Sequence, residues 1–259
     1  MLIRSASTHP AARGFVALGA VLAGVLIAPA LASATPSVSF SAKIVPIPGF
    51  PHTGNILGAG ADVEAEIKIS GTEYAGGPPP ITQVKAYYPK GTKINTKGFT
   101  TCASSSLEAK GTAGCSKKAQ AGPAGATEGF VSLGGERVPE TVQVSPFLAT
   151  GGGLDFWIEG NSPVKIEKLA KGSWANLSSA PVLTVEVPLI ETLPGAPDAS
   201  ATNIKTKIGG AQKKGKKVTY YGTVPKSCPK GGFPGKIEVS FLGAGTVTAE
   251  TKVPCPTKK

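Results

Sequence analysis

Four short segments, TNIKTKI at 202–208, KVTYYGT at 217–223, KIEVSFL at 236–242 and TVTAETKV at 246–253, decide the predicted fold. In each segment apolar and polar residues alternate, which is the period of a β-strand with one buried face. Gly, Pro or Lys-Gly turns separate the segments, as expected of strand-turn-strand connections. The sequence therefore predicts a Lys-rich, four-strand β segment over residues 200–259.

The same alternation recurs before this segment and predicts eight further strands. They are expected at residues 37–45, 61–70, 81–88, 126–133, 140–146, 154–159, 163–170 and 181–187. The chain contains 34 Gly and 23 Pro, two residues that disfavour helix interiors. About 12 short strands predict an all-β fold made of one or more antiparallel β-sandwiches. We expect the main sandwich over residues 35–195, with residues 200–259 packed on it or forming a small second sandwich.

A signal helix is predicted in residues 1–34. Arg4, His9 and Arg13 form a basic lead, an apolar run follows over residues 15–27, and small residues come next, the pattern of a cleaved signal peptide. The apolar run is short for a membrane-spanning helix, and a retained anchor is the alternative. We therefore expect an exported protein, secreted or associated with the cell envelope, with no stable membrane span after signal cleavage.

The four cysteines are expected to form two disulfides. They are Cys102, Cys115, Cys228 and Cys255. Three pairings are open to four cysteines, and sequential pairing closes the shortest loops, both of them turn-rich, in a chain destined for export. A metal site is the alternative, but it lacks a Cys-x-x-Cys motif or a histidine partner, and we expect no metal or other cofactor. Ser105 and Glu108, at capping-box spacing, predict one helical turn inside the first loop.

Three stretches carry a resemblance to other proteins. YYPKGTKINTKGFTTC at 87–102, KGKK at 214–217 and VPCP at 253–256 resemble a recurrent group of uncharacterised exported proteins of high-GC Gram-positive (actinobacterial) bacteria. The resemblance spans most of the mature chain, and its motifs are structural rather than chemical. It implies an exported all-β chain with two cysteine pairs and implies no activity.

Positive charge is concentrated at the C-terminal end. Residues 200–259 hold 12 Lys, no Arg and two acids, a balance of +10 in a chain of net charge +11. Such a face suits an anionic cell-wall polymer or glycan, whereas the absence of Arg and of any nucleic-acid motif speaks against nucleic acid. A solvated surface that favours solubility is the alternative. The candidate polyanion-binding residues are Lys205, Lys207, Lys213, Lys214, Lys216 and Lys217.

Three aromatic residues are candidates for stacking on sugar rings. Trp157 falls with acids opposite the apolar set of its strand, Tyr87 falls opposite the apolar set of another, and Trp174 lies in a Gly-Ser turn region. The alternative is that loops or a second sheet cover these rings, because Trp is usually well buried.

Residues for catalysis are not identified. His52 is the one histidine left after signal removal, and no Gly-x-Ser-x-Gly motif accompanies it. Asp62, Glu64 and Glu66 share a strand face and are candidates for glycoside hydrolysis or calcium binding, but Lys68 on the same face favours an ordinary solvated surface.

Two functions follow as expectations. The first is an exported, non-enzymatic β-sandwich acting as a structural or adhesive module at or near the envelope, with a Lys-rich sheet for polyanion contact. The alternative is a carbohydrate-binding module or weak glycan-active enzyme that uses the three aromatic residues and the acids.

Overall fold

Antiparallel strands make up most of the chain that the computed structural model describes, residues 35–50 and 56–256. The strands are β1 Ser37–Val45, β2 Asp62–Ser70, β3 Ile81–Tyr87, β4 Lys93–Ile94, β5 Gly125–Leu133, β6 Glu136–Leu148, β7 Leu154–Gly160, β8 Ile166–Ala175, β9 Val182–Glu186, β10 Ser200–Ile208, β11 Ala211–Lys214, β12 Lys217–Tyr220, β13 Gly222–Thr223, β14 Phe233–Phe241 and β15 Gly245–Val253. A helix, α1, spans Ser104–Lys110, and single 3-10 turns follow at Gly111–Gly114 and Lys117–Ala119. The predicted signal helix and His52 lie outside the described residues.

Eleven of these strands form one antiparallel sheet in the order β1-β2-β10-β5-β6-β7-β8-β9-β3-β14-β15. Its two edge strands, β1 and β15, lie against each other without a shared hydrogen-bonded ladder. The sheet is therefore nearly closed on itself. The pairs β11-β12 and β4-β13 are two-stranded sheets of their own.

The structure has this single, nearly closed sheet in place of the sandwich that the sequence predicted. All eight strands predicted before residue 195 are present as β1 to β3 and β5 to β9, so the all-β, antiparallel prediction is confirmed. Alternation with period 2 shows that each strand has one buried face. It does not show whether that face meets a second sheet or the far wall of its own sheet, and here it meets the far wall.

The strands of the C-terminal segment do not all pair with their neighbours in the sequence. Strand β10 pairs with β2 and β5, while β14 pairs with β15 and β3, so the segment enters the large sheet at two distant places. Gly125 and Gly129 permit the β5-β10 pairing, because a Cβ at either would lie 2.0 or 2.1 Å from a β10 carbonyl oxygen. At positions where the neighbouring backbone comes this close, only glycine fits because it has no Cβ.

Both predicted disulfides are formed. Cys102 pairs with Cys115 at a Cα–Cα distance of 5.6 Å, and Cys228 pairs with Cys255 at 5.9 Å. The first closes the loop that holds α1, which confirms the predicted helical turn, although Ala103 is its N-cap and no side chain caps it. Two disulfides indicate an oxidising, extracytoplasmic environment.

We expect the Cys228–Cys255 disulfide to stabilise the closed sheet, because it fastens the end of β15 to the chain before β14. The two cysteines are 27 residues apart, so the double Cys→Ala variant should lose about 3 to 4 kcal/mol of unfolding free energy. Urea denaturation measures this loss. The matched Cys102→Ala, Cys115→Ala variant opens a loop of 13 residues and should lose somewhat less; a loss below about 1 kcal/mol for the longer loop would contradict the expectation.

Candidate functional site

The interior of the closed sheet contains a cavity of about 280 Å³. Its wall is apolar and is formed by the inward-facing positions of the large sheet. Many of these positions carry small residues: Ala42, Ala65, Ala86, Gly129 and Ala170. The width of a closed sheet grows with its number of strands, and side chains of this size do not reach across eleven strands. The space is therefore a consequence of strand number and of small inward residues.

Several inward apolar side chains retain accessible surface although the opposite wall faces them. Val63, Ala65, Val84, Ala86 and Val185 all line the cavity and are only partly buried. Side chains of a fully packed core touch neighbours on every side. The partial burial of these residues indicates an apolar surface that a ligand can cover.

Among the polar side chains that interrupt the apolar wall are Glu140, Thr127, Thr206 and Ser200. Glu140 is 5% exposed, and its Oε2 accepts a hydrogen bond from the backbone N–H of Val164 at 3.4 Å. Its Oε1 and the three hydroxyl oxygens are buried with no hydrogen-bond partner among the described residues. An unpaired buried polar atom costs about 1 to 3 kcal/mol, so these four atoms are suited to contact a polar group of a ligand.

An aromatic cluster lies at another part of the cavity wall. Trp174 donates its indole N–H to the Tyr221 hydroxyl at 2.8 Å, and its ring centroid lies 5.3 Å from that of Tyr88. Phe99 packs edge-on against Tyr221 at 5.8 Å. Burial raises the pKa of Tyr88 to about 12, which keeps its hydroxyl neutral. Trp174 is thus a part of the interior rather than of an exposed stacking surface.

The other two aromatic candidates are held by separate contacts. Trp157 faces outward from β7 as predicted, but Leu107 of α1 packs in the same buried cluster, and Trp157 is only 4% exposed. Tyr87 donates its hydroxyl to Glu238 at 2.8 Å, and the ammonium of Lys236 lies 4.7 Å from its ring centroid. The structure does not bring Trp157, Tyr87 and Trp174 together into one platform.

We expect Trp157 to be a stability residue. Its replacement by Ala should lower the unfolding free energy by about 3 to 5 kcal/mol, because a large buried ring is removed from beneath α1. Tyr87→Phe is the control and should cost about 1 kcal/mol or less, since only a partly exposed hydrogen bond is lost. Denaturant unfolding compares the two variants, and equal small effects would show that Trp157 is not part of the core.

The acids of β2 and the lysines of β10 neutralise each other. The register sets Lys205 opposite Glu66 and Lys207 opposite Glu64. The Lys207 ammonium lies 3.2 Å from a Glu64 oxygen and 3.6 Å from one of Asp62. Burial raises the pKa of Asp62, although the Gly210 N–H and Lys207 both act to lower it. Lys205 and Lys207 therefore stand apart from the other predicted polyanion-binding residues, and the acids do not form an open carboxylate pair.

The remaining four lysines form a basic hairpin, β11-β12. Lys213, Lys214, Lys216 and Lys217 are exposed, and none is in an ion pair within the described part of the chain. Lys217 also lines a surface groove. The other cations of that groove are Lys93 and Lys97, and Tyr220 lies beside them. The hairpin and groove present positive charge from two distant parts of the sequence on one surface.

In ranges 35–50 and 56–256, no group of three or more His, Cys, Asp or Glu side chains is placed to hold a metal ion. No helix within those ranges is long and apolar enough to cross a membrane.

Comparison with known proteins finds no matching family model, no similar curated protein and no similar solved structure. The resemblance to exported actinobacterial proteins accordingly stays a prediction. The geometry of the interior and of the basic surface is what carries an argument about function.

Glu140 is one of the site residues that the sequence analysis missed. It begins the stretch ETVQV, where Val142 and Val144 are the inward residues. Since strand residues two apart share a face, the alternation itself places Glu140 on the apolar side. An acid in phase with the apolar set was the signal available.

Proposed function

We propose that this chain is an exported, non-enzymatic binding protein that holds an apolar ligand inside the closed sheet, at or near the cell envelope. The observation that carries the proposal is the apolar cavity of about 280 Å³. Ligand sites are typically concave, mostly apolar and formed in advance, with a few polar groups. The interior has each of these properties.

The size of the cavity bounds the ligand. An apolar cavity of about 150 Å³ accepts benzene, so this one suits a molecule of about 11 heavy atoms, such as a naphthalene ring or a chain of about ten carbons. Burial of each methylene contributes about 0.8 kcal/mol. A ten-carbon chain gains about 8 kcal/mol before the cost of association, which is several kcal/mol. Modest affinity for a simple hydrocarbon is expected, and specificity has to come from polar contacts.

We expect naphthalene to bind in the interior, and filling the cavity should prevent this. The Ala65→Leu, Ala86→Leu variant adds two larger side chains to the wall and should weaken binding by about tenfold or more, which corresponds to ~1.4 kcal/mol. Naphthalene fluorescence on titration with protein gives the affinity. Ala126→Leu is the matched control because Ala126 is exposed on β5. Equal affinity of all three proteins would contradict binding in the interior.

A second function, contact with an anionic cell-wall polymer, is supported by the basic hairpin. Its four exposed lysines and the adjoining Lys93 and Lys97 lack carboxylate partners among the described residues. Exposed charges of one sign attract a polyanion, and salt weakens the attraction. This surface is separate from the interior, so the two functions are compatible in one protein.

We expect Lys214→Gln, Lys216→Gln to lower the salt concentration that elutes the protein from isolated Gram-positive cell walls. The matched variant Lys165→Gln, Lys168→Gln removes two exposed charges elsewhere and should elute like the unaltered protein. An equal shift for both variants would show that net charge alone, and not the hairpin, governs retention.

A further inference from the structure

No cation of the described residues compensates the carboxylate of Glu140. None of the ion pairs of the described residues involves it. Arg137 of the same strand is engaged elsewhere: it lies over the Phe130 ring at 3.7 Å from the centroid, and it donates to the Gly76 carbonyl. A carboxylate that is 5% exposed with one unpaired oxygen is costly to bury, and the cost is relieved when a donor reaches that oxygen.

Two glycines lie on the strands that flank this carboxylate. Gly129 faces Glu140 across the β5-β6 ladder and contributes no side chain to the cavity wall. On β7, a Cβ at Gly160 would lie 3.0 Å from Glu140 Oε1 and 2.7 Å from a Val142 methyl, so a larger residue there would displace the carboxylate. The absence of a side chain at Gly160 thus leaves, on the β7 side, the space that the carboxylate occupies.

Two hydroxyl groups share the inward face with Glu140. The register sets Thr127 opposite Val142 and beside Ile204 of β10, and Thr206 follows two residues later. Both Oγ1 atoms are buried and unpaired among the described residues, as is Glu140 Oε1. A hydroxyl donates and accepts, whereas an ionised carboxylate only accepts. The complementary group therefore has to donate to Glu140, and a hydroxyl on it can exchange a further hydrogen bond with Thr127.

We propose that the ligand is an amphiphile of about ten carbons whose polar end is a hydrogen-bond donor, an alcohol or an amine, bound by Glu140 Oε1, with Thr127 on the neighbouring strand β5. This inference rests on the proposed binding function and assigns the ligand's chemical class. An anionic amphiphile such as a fatty acid is disfavoured, because its carboxylate would face that of Glu140 in an apolar cavity.

The test uses chain-matched probes on the full protein: decylamine, 1-decanol and decanoate at neutral pH, by titration calorimetry. Decylamine and 1-decanol should bind more tightly than decanoate, by about tenfold or more for the amine. Glu140→Gln keeps the shape and removes the charge, so decylamine should lose most of that advantage and decanoate should bind better. Glu167→Gln, on the exposed side of β8, is the control and should leave the ranking unchanged.

A second variant guards against a folding defect in Glu140→Gln. Thr127→Val preserves side-chain shape and should weaken 1-decanol several-fold while decylamine remains preferred over decanoate. The inference is overturned if decanoate binds the unaltered protein as tightly as decylamine, or if Glu140→Gln folds and leaves the ranking intact. Naphthalene distinguishes failure of the donor assignment from failure of the proposed binding function. If naphthalene binds but the three probes bind equally, only the donor assignment is refuted. If neither naphthalene nor any probe binds, the proposed function is refuted too.

Discussion

Closure of one antiparallel sheet is the constraint on which the rest of this structure depends. Because β1 and β15 meet, every strand of the large sheet has one face toward a common interior and one toward the outside. A flat sheet of eleven strands would need a second layer to cover its apolar face, whereas the nearly closed sheet covers itself. The interior is then too wide for Ala, Gly and Val to fill, and the cavity follows from the same closure.

The outer face is organised by different interactions. The first disulfide loop lays α1 over Trp157 and supplies a small core outside the sheet. Asp155 of β7 accepts a hydrogen bond from the Ser104 hydroxyl at 2.6 Å, and burial raises its pKa. Across β2 and β10, acids and lysines pair off, whereas no described acid forms an ion pair with the four lysines of the β11-β12 hairpin. Charge in the sequence and charge at the surface are therefore distributed differently.

The sequence predicted local structure well and long-range structure poorly. Alternation located the strands, and the spacing of the cysteines located both disulfides, since each depends on residues close in the chain. The pairing of β10 with β2 and β5 joins residues 70 or more positions apart, and alternation contains no information about such partners. Trp157 shows the same limit. The alternation of its strand predicted that the side chain points outward, but it did not predict that α1 covers the ring.

The interior site was invisible to sequence reasoning for a related reason. A cavity is a property of opposite walls, and the residues that form it, such as Ala65 and Ala86, are ordinary in their own strands. Glu140 carried a readable signal, since it is in phase with Val142, but its isolation from cations depends on where Arg137 points. The Lys-rich composition predicted the charge of the basic hairpin. It did not predict that Lys93 and Lys97 lie next to the hairpin.

The most direct test of the account is methyl NMR of the protein with labelled alanine and bound 1-decanol. Intermolecular NOEs from the decyl chain to the methyl groups of Ala65, Ala86 and Ala170, with none to exposed Ala126, are the result that the account predicts. NOEs confined to exposed methyl groups, or none at saturating 1-decanol, would show that the interior of the sheet is not a binding cavity.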